Sequence, residues 1–182
     1  MVSHPSRTRG DVRIANPFIL TAKLPDDIHS WADKLRKAHF PPERNFLHAH
    51  VTLFHAFAPS LLEELKGYLP QVAKEFAAPR GEITGLMNLG GGTAIRLNAP
   101  DLLEIRRVIS DRFLGTLTQQ DLHEPRPHIT IQNKVKKEAA QALQAELGPQ
   151  IEQRAFTFPA LELHLYQGGP WDFVKAFPFR GK

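Results

Sequence analysis

The sequence predicts an α/β or α+β sandwich of helices packed on sheet. Two observations predict it: short apolar runs bounded by turn residues alternate with amphipathic helical stretches, and that alternation occurs twice along the chain. A strand, a helix, a His-bearing strand and a helix precede Gly81, and a similar series follows it, which points to an internal pseudo-repeat.

The elements follow in order. Residues 17–23 are apolar between turn residues and read as a strand. Residues 26–38 place Ile28, Trp31, Leu35 and Ala38 at helical spacing, with Pro25-Asp26-Asp27 as a start signal. Residues 46–54 read as a strand. Residues 61–77 are helical in pattern, and Pro70 is expected to bend or break that helix. Residues 82–89 and 93–98 form two strands joined by Gly90-Gly91-Gly92, a hairpin turn lacking the Gly-Lys-Ser/Thr of a phosphate loop. Residues 101–114 are amphipathic, with Asp101 as N-cap behind Pro100. Residues 127–132 form a short strand, and 136–147 a helix closed by Gly148-Pro149. Strands over 155–166 and 173–179 complete the chain.

With 182 residues the chain fits one domain over 1–182, with 1–14 expected to be flexible. It contains no cysteine, which excludes disulfides and thiolate metal sites and suits a reducing, cytoplasmic setting. The segment 1–13 is polar and basic and does not read as a signal peptide, and no apolar run suggests a membrane span. A net charge of +4 would help an anionic ligand approach without specifying RNA.

Two segments carry the chemistry: His50-Val51-Thr52-Leu53 and His128-Ile129-Thr130-Ile131. Side chains two apart on a strand share a face, so each histidine pairs with a threonine while the branched residues point to the core. One histidine on an apolar strand is more often structural than catalytic. Two in matched contexts suit phosphoryl chemistry, in which one imidazole takes a proton from water and the other gives one to the leaving oxygen. Threonine hydroxyls can hold the non-bridging oxygens, and a strained cyclic phosphate needs no metal.

Other residues are weaker candidates. His48-x-His50 is half of a zinc site, but no histidine or carboxylate at a useful spacing nearby supplies a third ligand, so no metal is assigned. His48 and His55 are expected at the strand's two ends, in solvent or at a cleft rim. Arg126 and Lys134 could meet further phosphates but read first as solvated charges. Phe18, Phe54, Tyr166 and Trp171 could stack on a base but read first as core or rim packing, and none is chosen. His123 and His164 carry no pattern.

The two tetrapeptides resemble the paired motifs of the two-histidine (2H) phosphoesterase superfamily, and the nearer likeness is to its bacterial 2′-5′ RNA ligase (LigT-like) and cyclic phosphodiesterase branch. The opening strand, Pro127 before the second motif and the closing Leu165-Tyr166-Gln167 also resemble that branch. The resemblance implies an α+β, bilobal fold of pseudo-two-fold symmetry, with two antiparallel sheets lining a central cleft and helices outside. It implies His50 and His128 as the catalytic pair, Thr52 and Thr130 as phosphate-binding residues, and no cofactor. The implied reaction opens 2′,3′-cyclic phosphates of RNA 3′ ends or nucleotides to 2′-phosphates, with reversible 2′-5′ joining as its relative. By the same analogy His128 activates water and His50 protonates the 3′ oxygen, the reverse assignment staying open. The enzyme is expected to be a monomer. An RNA- or nucleotide-binding module without turnover, and a phosphodiesterase for a small cyclic phosphate, are the alternatives.

Overall fold

A computed structural model describes residues 16–182, so the readings for 1–13 and 1–14 lie outside the described residues. Eight strands form two antiparallel four-stranded sheets. The first has the order β2-β1-β7-β8, built from Phe18–Ala22 (β1), Val51–Phe57 (β2), Ala160–Tyr166 (β7) and Trp171–Pro178 (β8). The second has the order β5-β4-β3-β6, from Arg80–Asn88 (β3), Thr93–Asn98 (β4), His128–Gln132 (β5) and Arg154–Thr157 (β6). The fold is α+β, in two lobes.

The pseudo-repeat is real, but its boundary is not at Gly81. Strand, crossover helix and His-bearing edge strand recur as β1, Asp26–His39 (α1), β2 and as β4, Pro100–Phe113 (α3), β5. The first lobe is completed by the end of the chain, because β7 and β8 return to it. The single strand expected over 155–166 is two strands in different sheets. They part at Phe158-Pro159, where Phe158 is fully buried and Pro159 has no amide proton to continue a ladder.

Three local expectations also change. Leu62–Glu75 (α2) runs unbroken through Pro70. A proline there costs roughly 3 kcal/mol, but Leu65, Leu69, Val72 and Ala73 are buried from the same helix, and each large apolar side chain is worth about 1.5–3 kcal/mol. Packing wins. The N-cap of α3 is Ala99, with Pro100 as its first residue and Asp101 in the first turn, where its charge still suits the helix dipole. The strand expected over 46–54 starts only at Val51, so His50 precedes β2. The glycine hairpin holds: Leu89 N–H donates to Gly92 O at 3.0 Å, and Gly90 has φ +82°.

Lys137–Leu147 (α5) packs on β3 and β4, α3 on β3, and α2 on β7 and β8, while the short Gln119–Leu122 (α4) lies beside β2. Alternation decides what remains for the cleft. In β7, Leu161 and Leu163 are buried while the intervening Glu162 and His164 are half-buried; in β5, Ile129 and Ile131 are buried while His128 and Thr130 are half-buried. Among the described residues no helix is long and apolar enough to cross a membrane.

Candidate active site

His128 opens the edge strand β5 and His50 immediately precedes the edge strand β2, and these two strands approach where the lobes meet. The half-buried rings are held identically. His50 Nδ1 lies 2.7 Å from His48 O, and His128 Nδ1 lies 2.7 Å from Arg126 O. A carbonyl only accepts, so each Nδ1 carries the proton and donates it, leaving Nε2 as the free basic atom. The hydroxyl-bearing Thr52 and Thr130 follow two residues later and are likewise half-buried.

Two buried arginines tie the lobes together at these strands. Arg36 on α1 donates through Nη1 to Thr130 O at 2.9 Å, and through Nε to Leu47 O and Asn45 Oδ1. Arg106 on α3 donates through Nε to Leu53 O at 3.2 Å, and through Nη2 to Asp121 O. Each crossover helix thus holds the motif strand of the other lobe.

Two buried carboxylates serve the same strands. Asp33 accepts from Ala49 N–H at 3.0 Å, and Asp121 accepts from the N–H groups of His55 and Ala56 and from His55 Nδ1. Burial works against the charge on both, but the bonds they accept outweigh it and hold both carboxyls below their ordinary range.

The floor beside His50 is aromatic. Trp171 packs against His50 with ring centroids 4.6 Å apart, and His164 lies 5.5 Å from Trp171 and 6.0 Å from Phe173. Thr21 Oγ1, on the strand between, is 3.1 Å from His164 Nε2. His50, Trp171, His164 and Thr21 line a cavity of about 330 Å³ that also receives Phe46, His29 and His48. Burial pushes His50 down to about 4, and the positive charges of Arg36, His164 and His128 act in the same direction against its bond to His48 O. Burial likewise lowers His164.

Several sequence expectations are corrected here. Phe18 and Phe54 belong to the core and present no stacking face, whereas Trp171 lines the cavity and Phe46 and Phe173 are 60% and 61% exposed. His164, which the sequence left without a role, lies on the cavity floor; the alternation of Leu161-Glu162-Leu163-His164-Leu165 was the signal for it. His48 and His50 line the same cavity but do not converge as paired ligands, since His50 turns to Trp171 while His48 Nδ1 faces Asp33 Oδ2 at 3.4 Å. A third group does come near from α1: the ligand atoms of His29, Asp33 and His48 lie within 4.8 Å of one another. Asp33 Oδ2 is also bridged by Lys37 at 3.1 Å, so this carboxylate is engaged in anchoring the His48-Ala49 segment. His55 holds Asp121, and Lys134 is an exposed residue with φ +60° after β5.

Edge-strand histidines, matched ring anchors and two antiparallel sheets define a two-histidine phosphoesterase fold. A family model for the 2′-5′ RNA ligase superfamily matches residues 24–170, and the chain belongs to that superfamily. Among solved structures, TT0787 of Thermus thermophilus is similar at TM-score 0.62 and 15% identity, over 91% of this chain and 99% of that one. E. coli LigT complexed with NADP+ gives 0.59 and 15%, over 91% and 99%, and LigT complexed with 3′-AMP gives 0.55 and 16%, over 91% and 98%. No curated protein sequence matches the chain. Membership places the chain among enzymes of phosphodiesterase or ligase type.

Proposed function

We propose that the chain is a phosphodiesterase opening 2′,3′-cyclic phosphates of RNA 3′ ends or nucleotides to 2′-phosphates. The observation that carries this reading is the matched pair of ring anchors, which leaves His50 Nε2 and His128 Nε2 free as proton carriers. His50, lowered to about 4 by burial, is neutral near pH 7 and has no Nε2 proton to give, so of the two roles it takes the proton of water and His128 supplies one. That reverses the order suggested by the family analogy.

In the proposed step, the water oxygen bonds to phosphorus as its proton passes to His50. The bond from phosphorus to the 3′ oxygen breaks, the electron pair leaves with that oxygen, and His128 protonates it. The product is a 2′-phosphate with a 3′-hydroxyl. Thr52 and Thr130 donate to the non-bridging oxygens, where charge is held in the transition state. A 5′-hydroxyl in place of water would give a 2′-5′ bond by the same proton transfers. Trp171 and Phe46 on the cavity lining, with the exposed Phe173 against His164 beside it, would support a nucleobase at this end of the cleft.

The test is incubation of wild type, His50→Ala and His128→Ala with an oligonucleotide ending in a 2′,3′-cyclic phosphate, with EDTA present. A 2′-phosphate formed by the wild type alone is the expected result. No product from the wild type, or undiminished product from either variant, would overturn the reading.

A further inference from the structure

Beside His128 the second lobe carries a held arginine that the proposed reaction does not use. Arg96 on β4 is the ladder partner of His128, so the two side chains stand on the same face of the sheet. Its guanidinium is held against β3: Nε donates to Thr84 Oγ1 at 3.1 Å, and Nη2 to Thr84 O at 3.3 Å. Gly85 makes room for it. A Cβ at that position would stand 3.2 Å from Arg96 Nη2, on a backbone whose φ of +138° already disfavours a side chain.

Those bonds leave the Nη1 donors of Arg96 free, and none of the ion pairs among the described residues includes it. Arg36 and Arg106, by contrast, are buried and bonded to backbone carbonyls. Arg96 is exposed on a cavity of about 520 Å³ that Arg126 also lines. The carboxylate in that lining, Glu124, is already bridged by Arg107 at 2.9 Å. A guanidinium fixed by neutral acceptors, with spare donors and no counter-ion among the described residues, is preorganised for a phosphate.

We propose that Arg96, assisted by Arg126, binds a second phosphate of the substrate beside His128, so that a phosphate-bearing nucleotide or RNA end is preferred to a bare cyclic nucleoside phosphate. This rests on the cyclic-phosphate reading above.

Steady-state kinetics on three substrates test it: a 2′,3′-cyclic mononucleotide with a free 5′-hydroxyl, the same compound with a 5′-phosphate, and a dinucleotide ending in the cyclic phosphate. The wild type is expected to favour the phosphate-bearing substrates through KM. Arg96→Gln should remove most of that preference, roughly tenfold to a hundredfold for one charge-assisted contact, and Arg126→Gln should act in the same direction. Loss on the dinucleotide alone identifies the linking phosphate; loss on both identifies any 5′-phosphate. An equal effect of Arg96→Gln on all three substrates, or none on any, overturns the proposal. Wild-type turnover of the plain cyclic mononucleotide checks the parent reading separately. If the wild type turns over none, calorimetric binding of a 3′-phosphorylated dinucleotide against a nucleoside 3′-phosphate decides, and Arg96→Gln must weaken the dinucleotide more.

Discussion

Arg36 leaves its helix in one lobe to donate a 2.9 Å hydrogen bond to the backbone carbonyl of Thr130 in the other, two residues past His128. The distance between the two histidines therefore depends on a guanidinium that touches neither. Arg36 is 3% exposed and also serves Asn45 and Leu47, so Arg36→Ala strands three acceptors. The expected loss is about 2–5 kcal/mol, read as a lower urea midpoint. Arg36→Lys should recover little of it, because a single ammonium cannot span three divergent acceptors. A loss under about 1 kcal/mol would show that the cross-lobe bonds do not contribute to stability.

His50→Ala and His128→Ala should each lower turnover of a cyclic phosphate by on the order of 10² to 10⁴, the usual contribution of an acid or base. Both rings are half-buried and each makes its side-chain hydrogen bond to a local carbonyl, His50 also packing on Trp171, so both variants should keep a wild-type unfolding midpoint to within about 1 kcal/mol. Thr52→Ala and Thr130→Ala should cost less, about tenfold each, through one hydrogen bond to phosphate. Turnover unchanged in a folded histidine variant would remove that residue from the mechanism.

How much of this was legible in the sequence follows from the range of the interactions involved. The two His-x-Thr segments were readable because period-two alternation is local: the residues that face the cleft are set by neighbours two positions away. Helix α1 was readable for the same reason. Pro70 misled because the cost of one proline is local, whereas the burial that overrides it comes from β7 and β8, about 100 residues later in the chain. The split at Pro159 and the return of the last strands to the first lobe are also long-range pairings, which no window reveals. His29 and Asp33 near His48, and Arg96 opposite His128, became visible only once crossover helix and sheet register were known.

The pH dependence follows from His50. Its neighbours are Trp171 on β8, His164 on β7, Arg36 on α1 and His128 on β5, and burial with these positive charges lowers it to about 4. If neutral His50 is the base, kcat/KM should fall on the acid side near pH 4 and not near the ordinary 6.5. Trp171→Ala opens the cavity and should move that limb upward. For stability the sign is opposite to that of a paired histidine: between about pH 4 and 6.5 the unfolded chain binds the extra proton, so stability rises with pH across that window and flattens above it. His50→Gln should remove that part of the slope in urea titrations. An acid limb at 6.5 in the wild type would instead place a solvated imidazole in the rate-limiting protonation.

Asp121 should be the most sensitive single carboxylate outside the cleft. It is 1% exposed and accepts from two backbone N–H groups of β2 as well as His55 Nδ1, while its own carbonyl receives Arg106. Asp121→Ala leaves two buried amide donors without an acceptor and frees the α4 segment from β2. Each unsatisfied buried donor costs about 1–3 kcal/mol, so a total near 2–5 kcal/mol is expected, with turnover falling only as far as the folded fraction falls. Its carboxyl is held below the ordinary value, so the stabilisation is complete above about pH 4 and is lost as pH drops through the folded-state value. Acid unfolding of Asp121→Asn, which keeps one acceptor oxygen but no charge, separates the two contributions. The variant should start less stable at pH 7 and lose less on acidification. If wild type and Asp121→Asn run parallel from pH 7 to pH 2, the charge adds nothing and only the hydrogen bonds matter.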